Sequence, residues 1–316
     1  MGKYILKRLI IMIPVVLGVT ILIFTIMYFT PGDPASIILG PNASQEQLMA
    51  KNEELGLNTG YFERLFNYIK DLFFRFDFGK SYINNRSVSG QILERFPRTV
   101  TIAFLSVIIS LVVGIPLGII AAINQYSWKD NASMLLALVG VSMPNFWVGL
   151  LLVILFALTL GWLPPGGIGG LKFYILPCIA TSLGGAANIA RQTRSSMLEV
   201  IRADYIVTAR AKGQVERKVI YKHALRNALI PIITIAGASF GILIGGTLVI
   251  ETVFSIPGLG SYMTAAISNR DYPAIQGSVI FLSILFGLVM LLVDILYAFI
   301  DPRIKGQYQK NKKKGE

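Results

Sequence analysis

Seven stretches of 18 or more residues carry no charged side chain: 9–32, 99–128, 131–171, 173–190, 227–250, 252–269 and 272–293. Water-soluble domains do not tolerate such a pattern, because roughly a quarter of their residues are charged. Here the charged fraction is 15%, and the mean hydropathy is +0.63. A bilayer core of about 30 Å takes roughly 20 apolar residues of helix. Six stretches meet that need, predicting spans at 9–29, 100–122, 134–160, 173–190, 228–250 and 278–300. The seventh, 252–269, holds Ser255, Pro257, Gly258, Gly260, Ser261, Thr264, Ser268 and Asn269, which punctuate a helix repeatedly. It reads as a loop with an interfacial or partly re-entrant piece, shielded by protein. The predicted fold is an all-α polytopic integral membrane protein, with residues 1–316 forming a single transmembrane domain.

The net charge of +12 supports the count. Six spans place both termini on one side. That side then holds Lys3, Lys7, Arg8, Lys129, nine basic residues in 191–227 and six in 303–316, or nineteen of the 29. The short loops opposite hold only Lys172 and Arg270, and the other eight lie in the long 30–98 segment, which the positive-inside rule largely exempts. Cytoplasmic termini follow as the expectation, and the basic total reports orientation rather than nucleic-acid binding. Lys3, Lys7 and Arg8 before an apolar run resemble a secretory leader. The run is too long, however, and it ends in Thr30-Pro31-Gly32-Asp33-Pro34 without a small-residue cleavage site, so it reads as a retained first span.

The outer segment 30–98 is more polar. Ser44-Gln45-Glu46-Gln47 can open a capped helix running to about Leu55. Tyr61 to Phe74 carries Leu65, Phe66, Ile69, Leu72 and Phe73 on one helical face. Together they predict a small ordered cap. The tail Lys310-Asn311-Lys312-Lys313-Lys314 reads as a solvated run near anionic lipid headgroups.

The inner loop 191–227 stands apart, with 37 residues, nine basic and three acidic (Glu199, Asp204, Glu216). The pattern predicts a helix over Ser195–Lys212, a break at Gly213, and a second helix over Val215–Leu225 leading into the fifth span. Such an element suits docking of a partner. The competing reading is a pair of amphipathic helices resting on headgroups.

Other local patterns carry less. Gly79-Lys80-Ser81 imitates the end of a phosphate loop, but position 74 is Phe74 where that loop needs glycine, and the site is on the outer side. Ser87-Val88-Ser89-Gly90-Gln91 fails as a nucleotide signature for the same reason of location, and three glycosylation-type tripeptides, at Asn42, Asn85 and Asn131, are assigned nothing. Asp294 is the one carboxylate read as embedded in a span, a structural group more than a transport site. Asn188 and Arg191 end the short fourth span and can line an inner vestibule. His223 reads as a loop anchor rather than a metal ligand, and Cys178, the only cysteine, as a packed small residue. An ion-coupled secondary transporter needs midplane ion sites, often in repeated halves. A membrane enzyme needs clustered His, Cys or acid residues. The spans offer neither.

Thr30-Pro31-Gly32-Asp33-Pro34, Leu55-Gly56-Leu57, Asp77-Phe78-Gly79-Lys80-Ser81, Ser142-Met143-Pro144-Asn145-Phe146, the run Glu251 to Gly260 with Arg270-Asp271-Tyr272-Pro273, and Asp301-Pro302-Arg303 occur in order along the chain. With them the chain resembles the permease subunits of ATP-binding-cassette (ABC) importers for oligopeptides, dipeptides and nickel, in particular the B-type half with its long first outer loop. The inner loop is similar to that family's coupling motif, aligned on Gly213. Its initial Glu and final Pro are absent, and Thr208-Ala209-Arg210-Ala211-Lys212-Gly213 with His223-Ala224-Leu225-Arg226-Asn227 matches the peptide branch.

The resemblance implies a type I ABC importer permease fold and no catalytic residue or cofactor in this chain. ATP and Mg would sit on two cytoplasmic ATPase partners. It also implies a homologous C-type permease partner, an extracellular or periplasmic solute-binding protein, and a peptide substrate, with nickel chelates, glutathione-like peptides and some sugars as alternatives. The coupling residues it implies are Ala203, Asp204, Tyr205, Thr208, Ala209, Arg210, Ala211, Lys212, Gly213, His223 and Arg226.

Overall fold

A computed structural model describes residues 2–40 and 42–300, with side chains from 4 to 295 apart from residue 41. Asp301-Pro302-Arg303, the basic residues of 303–316 and the Lys310–Lys314 tail therefore lie outside the described residues. The helices, in chain order, are α1 Gly2–Phe29, α2 Pro34–Leu39, α3 Gln45–Glu54, α4 Tyr61–Arg75, α5 Val88–Ile123, α6 Trp128–Ser142 and α7 Asn145–Leu152. They continue as α8 Lys172–Ile201, α9 Asp204–Ala211, α10 Glu216–Lys218, α11 Leu225–Gly246, α12 Leu248–Val253, α13 Leu259–Ser268 and α14 Tyr272–Ile300. No β-strand occurs among the described residues beyond an isolated bridge between Lys80 and Ser87.

Five continuous helices are long and apolar enough to cross a membrane: Tyr4–Phe29, Val88–Ile123, Lys172–Ile201, Glu216–Gly246 and Tyr272–Ile295. The expected third span, 134–160, is a broken one, built of two helices, α6 and α7 with its π-helical extension Val153–Thr159, bent by 97°. Pro144 causes the break. It lacks a backbone N–H and pushes the preceding residue out of the helical region, and Met143 is extended (φ −90°, ψ 127°). The second and fourth spans also exceed their expected bounds, because α5 begins at Val88 and α8 runs on to Ile201.

The described residues divide into two compact units, 2–99 with 256–287, and 100–255 with 288–300. The first has a core of Val16 and Ile23 from α1, Leu72 from α4, Val88 and Ile92 from α5, Leu259 and Tyr262 from α13, and Ile275 and Ile280 from α14. Its outer segment folds much as predicted. Ser44 accepts from the Gln47 amide (3.3 Å), and the Gln47 side chain returns to accept from the Ser44 amide (2.9 Å), a complete capping box. The expected single apolar face of α4 splits: Leu72 is buried while Phe66 is 67% exposed. The stretch read as a loop at 252–269 contains α13, whose Leu259, Gly260, Tyr262 and Ala266 are buried.

The second unit is built on a seam between α5 and α8 with a four-residue repeat. Ser106 Oγ lies 3.4 Å from Cys178 O, and Ser110 Oγ lies 2.9 Å from Ser182 O. A side chain added to Gly114 would meet Ala186 O at 2.6 Å, and one added to Gly118 would meet Ala190 O at 2.5 Å. Small residues every fourth position let two membrane helices touch backbone to backbone. Cys178, 1% exposed, is the packed small residue expected of it.

Candidate functional site

The inner loop is two short helices, but its breaks differ from expectation. The predicted helix Ser195–Lys212 is interrupted, because α8 ends at Ile201, Ala203 turns extended (φ −74°, ψ 146°) and α9 starts afresh at Asp204. Packing explains it. Ile206, 0% exposed, sinks into an apolar cluster of Ile119 and Ala122 from α5, Met197 from α8, and Val219, Ile220, Ala224 and Ala228. That anchor requires α9 to turn away from α8, and it outweighs the helix propensity of Arg202 and Ala203.

Gly213 closes α9 at φ +71°, in the left-handed region glycine adopts without cost, and no atom lies within 4 Å of where a Cβ would project. The second helix forms as α10 and a π-helical turn, Val219–Ala224, that leads directly into α11.

The candidate coupling residues fall into two groups. Asp204, Tyr205, Thr208, Arg210, Ala211, Lys212, Gly213 and Arg226 are exposed. Ala203, Ala209 and His223 are half-buried, and Ala209 packs against the Ile206 cluster, so it holds the helix from beneath. Polar contacts brace the exposed set. Asn227 Nδ2 donates to Tyr205 Oη (2.7 Å), and Thr208 Oγ1 donates to Asp204 O (3.0 Å). Arg210 donates twice to Glu216, at 2.7 and 3.1 Å, and this hydrogen bond holds its guanidinium pKa above the ordinary value. His223 Nε2 lies 3.2 Å from Gln214 Oε1, so it does tie the two halves of the loop together. The sequence reading missed Val207 and Val215, 57% and 73% exposed, which with Tyr205 and Tyr221 give the loop an apolar outer surface.

Asn188 and Arg191 lie within α8, not at the end of a short span as expected. They share an open groove of about 450 Å³ with Gln192, Ile235, Ser239 and Ile242. Beside it, Arg194 makes a two-pronged ion pair with Asp130, both bonds 2.7 Å, and Asp130 also accepts from the Tyr126 amide. Asp294 is half-buried on α14. Glu251, on α12 outside the candidate spans, is a buried carboxylate, 0% exposed, and accepts a 3.0 Å bond from Thr247 Oγ1.

The outer motifs meet in the first unit. Ser81 Oγ and the Tyr82 amide donate to Asp271 at 2.5 and 3.0 Å. Arg270 donates to Pro31 O (3.2 Å), and Arg98 to Pro257 O (3.0 Å). Within the Gly79-Lys80-Ser81 run, Ser81 therefore serves, with the Tyr82 amide, as a structural clasp on Asp271. A cleft of about 590 Å³ opens in the same unit beside Tyr28, Arg64, Tyr68 and Tyr272.

These features define a polytopic, all-helical membrane transport component with a braced exposed helix between two spans. The chain belongs to the family of binding-protein-dependent transport system inner membrane components, which it matches over residues 114–306, with the N-terminal membrane-component family of such systems matching residues 1–103. The dipeptide transport system permease protein DppB of Alkalihalophilus pseudofirmus is 43% identical, over 96% of this chain and 100% of that one. The glutathione transport system permease protein GsiC of Escherichia coli K12 is 40% identical, over 96% and 99%. In fold, the chain is similar to a structure of the MetNI methionine ABC transporter in inward facing conformations, with a TM-score of 0.57 at 19% identity, over 67% of this chain and 96% of that one. The chain is thus a multi-pass inner-membrane permease subunit of an ABC transporter, a membrane component and not the catalyst. Membership implies ATPase and solute-binding-protein partners.

Proposed function

We propose that this chain forms half of the translocation path of an ATP-driven peptide importer, and that α9 is the surface through which a cytoplasmic ATPase moves it. Similarity to dipeptide and glutathione permeases over 96% of the chain supports the substrate class, since both substrates are short peptides. The observation that carries the coupling role is the anchoring of α9. Ile206 fixes the helix to the ends of α5 and α8, while Tyr205, Val207 and Arg210 stay exposed. A push on that face is delivered to two spans at once. The partners in this reading are a homologous C-type permease, two ATPases carrying ATP and Mg, and an extracellular or periplasmic binding protein. Asn188 and Arg191 line the path, and the termini are cytoplasmic, as the concentration of basic residues supports. ATP closure on the ATPases biases the permease pair between inward-open and outward-open states through differential affinity. The pore therefore holds substrate weakly, and specificity lies mainly in the binding protein.

Val207→Asp tests the docking face, because Val207 is exposed and its neighbour Ile206 keeps the helix seated. The variant is expected to insert normally but to lose the ATPase subunits on copurification, together with peptide-stimulated ATP hydrolysis. Wild-type copurification and hydrolysis would overturn the assignment.

A further inference from the structure

Helix α4 has two apolar strips. Tyr61, Leu65, Tyr68 and Leu72, at intervals of four, three and four, form the inward one, with Leu72 buried. The strip beside it starts with Phe62 and Phe66, which turn outward and are exposed by 83% and 67%, and passes through half-buried Ile69 to Phe73, which packs against the core of the first unit. Exposed aromatics of this size on a stable helix mark a contact surface.

Geometry fixes the level at which this strip lies. About 20 residues of helix cross the hydrocarbon core, and counted from Leu9, the first residue past Arg8, they end at Tyr28. Tyr61, the first residue of α4, is clamped at that height. Its hydroxyl donates to Thr25 Oγ1 (2.7 Å), and its ring packs on Tyr28 and Phe29 with centroids 5.1 and 6.3 Å apart. Tyr68, two turns on, still packs on Phe24 at 5.6 Å, so α4 crosses α1 instead of climbing away from it. The outward strip is also continuous with exposed apolar surface on α1. Leu22, Ile26 and Phe29 lie on one exposed face of that helix, Phe29 stacks on Tyr61, and Tyr61 packs edge-on against Phe62 at 5.2 Å. Asn67 and Glu63 lie on the far side of α4, and exposed Lys70 sits at the rim of the strip, where its stem can lie over apolar surface with the ammonium reaching headgroup phosphates.

We propose that the Phe62–Phe66 face of α4 is a membrane-interface anchor, seated in the headgroup and acyl boundary of the outer leaflet beside the end of the first span. Aromatic side chains are at home at that depth. The anchor ties the outer segment 30–98 to the bilayer surface.

The test places a nitroxide on the full chain, assembled with its partner subunits in vesicles of phosphatidylethanolamine and phosphatidylglycerol. Cys178 is buried, so the label goes to the introduced thiol, with the wild-type chain as blank. Phe66→Cys is expected to read as accessible to oxygen and protected from a water-soluble nickel chelate, at a depth of roughly 5–10 Å below the phosphates. Asn67→Cys, on the polar side, is expected to read as open to the chelate. Equal chelate access at both positions would overturn the proposal. Shielding of Phe66→Cys from both reagents would overturn it too, by showing that protein covers the strip.

Discussion

At the residue scale, the glycines with no room for a side chain matter most. Gly118 faces Ala190 O across the α5–α8 seam at a distance no Cβ can occupy. Gly118→Leu is therefore expected to force the helices apart, with an overpacking cost of about 1–3 kcal/mol, seen as a lower thermal midpoint of the purified chain in detergent. Gly213 is the opposite case, because its surroundings are empty and only the backbone objects. Gly213→Ala is expected to cost about 1 kcal/mol and Gly213→Asn less, since asparagine tolerates the left-handed region. The measurement is again the thermal midpoint. The Asp130–Arg194 pair, with Asp130 2% exposed, predicts a larger loss. Asp130→Ala strands a partly buried guanidinium and is expected to cost about 3 kcal/mol, whereas the double variant with Arg194→Met recovers much of it. A double variant as unstable as the single one would deny the pairing. Some of this is legible in the chain. Gly114 and Gly118 stand four apart in a span, and Gly213 sits where two helical patterns meet. Asp130 and Arg194, 64 positions apart, are joined only by folding.

At the element scale, local chemistry was readable wherever the deciding groups are neighbours in sequence. Ser44 and Gln47 announce the start of α3, and Ser44→Ala is expected to remove about 1 kcal/mol of local stability. Faster hydrogen exchange at the Gln47 and Leu48 amides, with no change in α4, is the readout. Elements decided by packing were harder to read. Nothing in Val200-Ile201-Arg202-Ala203 breaks a helix by propensity, yet the burial of Ile206 turns α9 out of line. Pro144 lies inside the expected third span, where a proline can kink a helix or end it. The extended Met143 decides for ending. Pro144→Ala relieves a residue that is about 3 kcal/mol worse than alanine inside a helix, and it is expected to let α6 and α7 straighten. Inserted protein should be unchanged and uptake reduced. Full uptake would show that transport does not depend on the 97° bend.

At the scale of the molecule, hydropathy and charge were enough to give an all-helical membrane protein, and ordered motifs gave the family. The division at Thr99 falls close to residue 103, where the N-terminal family match ends. That division was not legible, because the first unit reclaims 256–287 from far along the chain. The two-faced α4 was not legible either, since its inward and outward strips are both apolar and only the position of α1 tells them apart. The net charge of +12 has become a local statement, with nine basic residues on the loop that carries α9. The most direct measurement is uptake of a labelled dipeptide into vesicles holding the assembled transporter, with its binding protein on one side and ATP on the other. Uptake that requires ATP and the ATPase subunits, and that is lost with Val207→Asp, is the predicted result. Uptake by this chain without the ATPases, driven by an ion gradient, would contradict it.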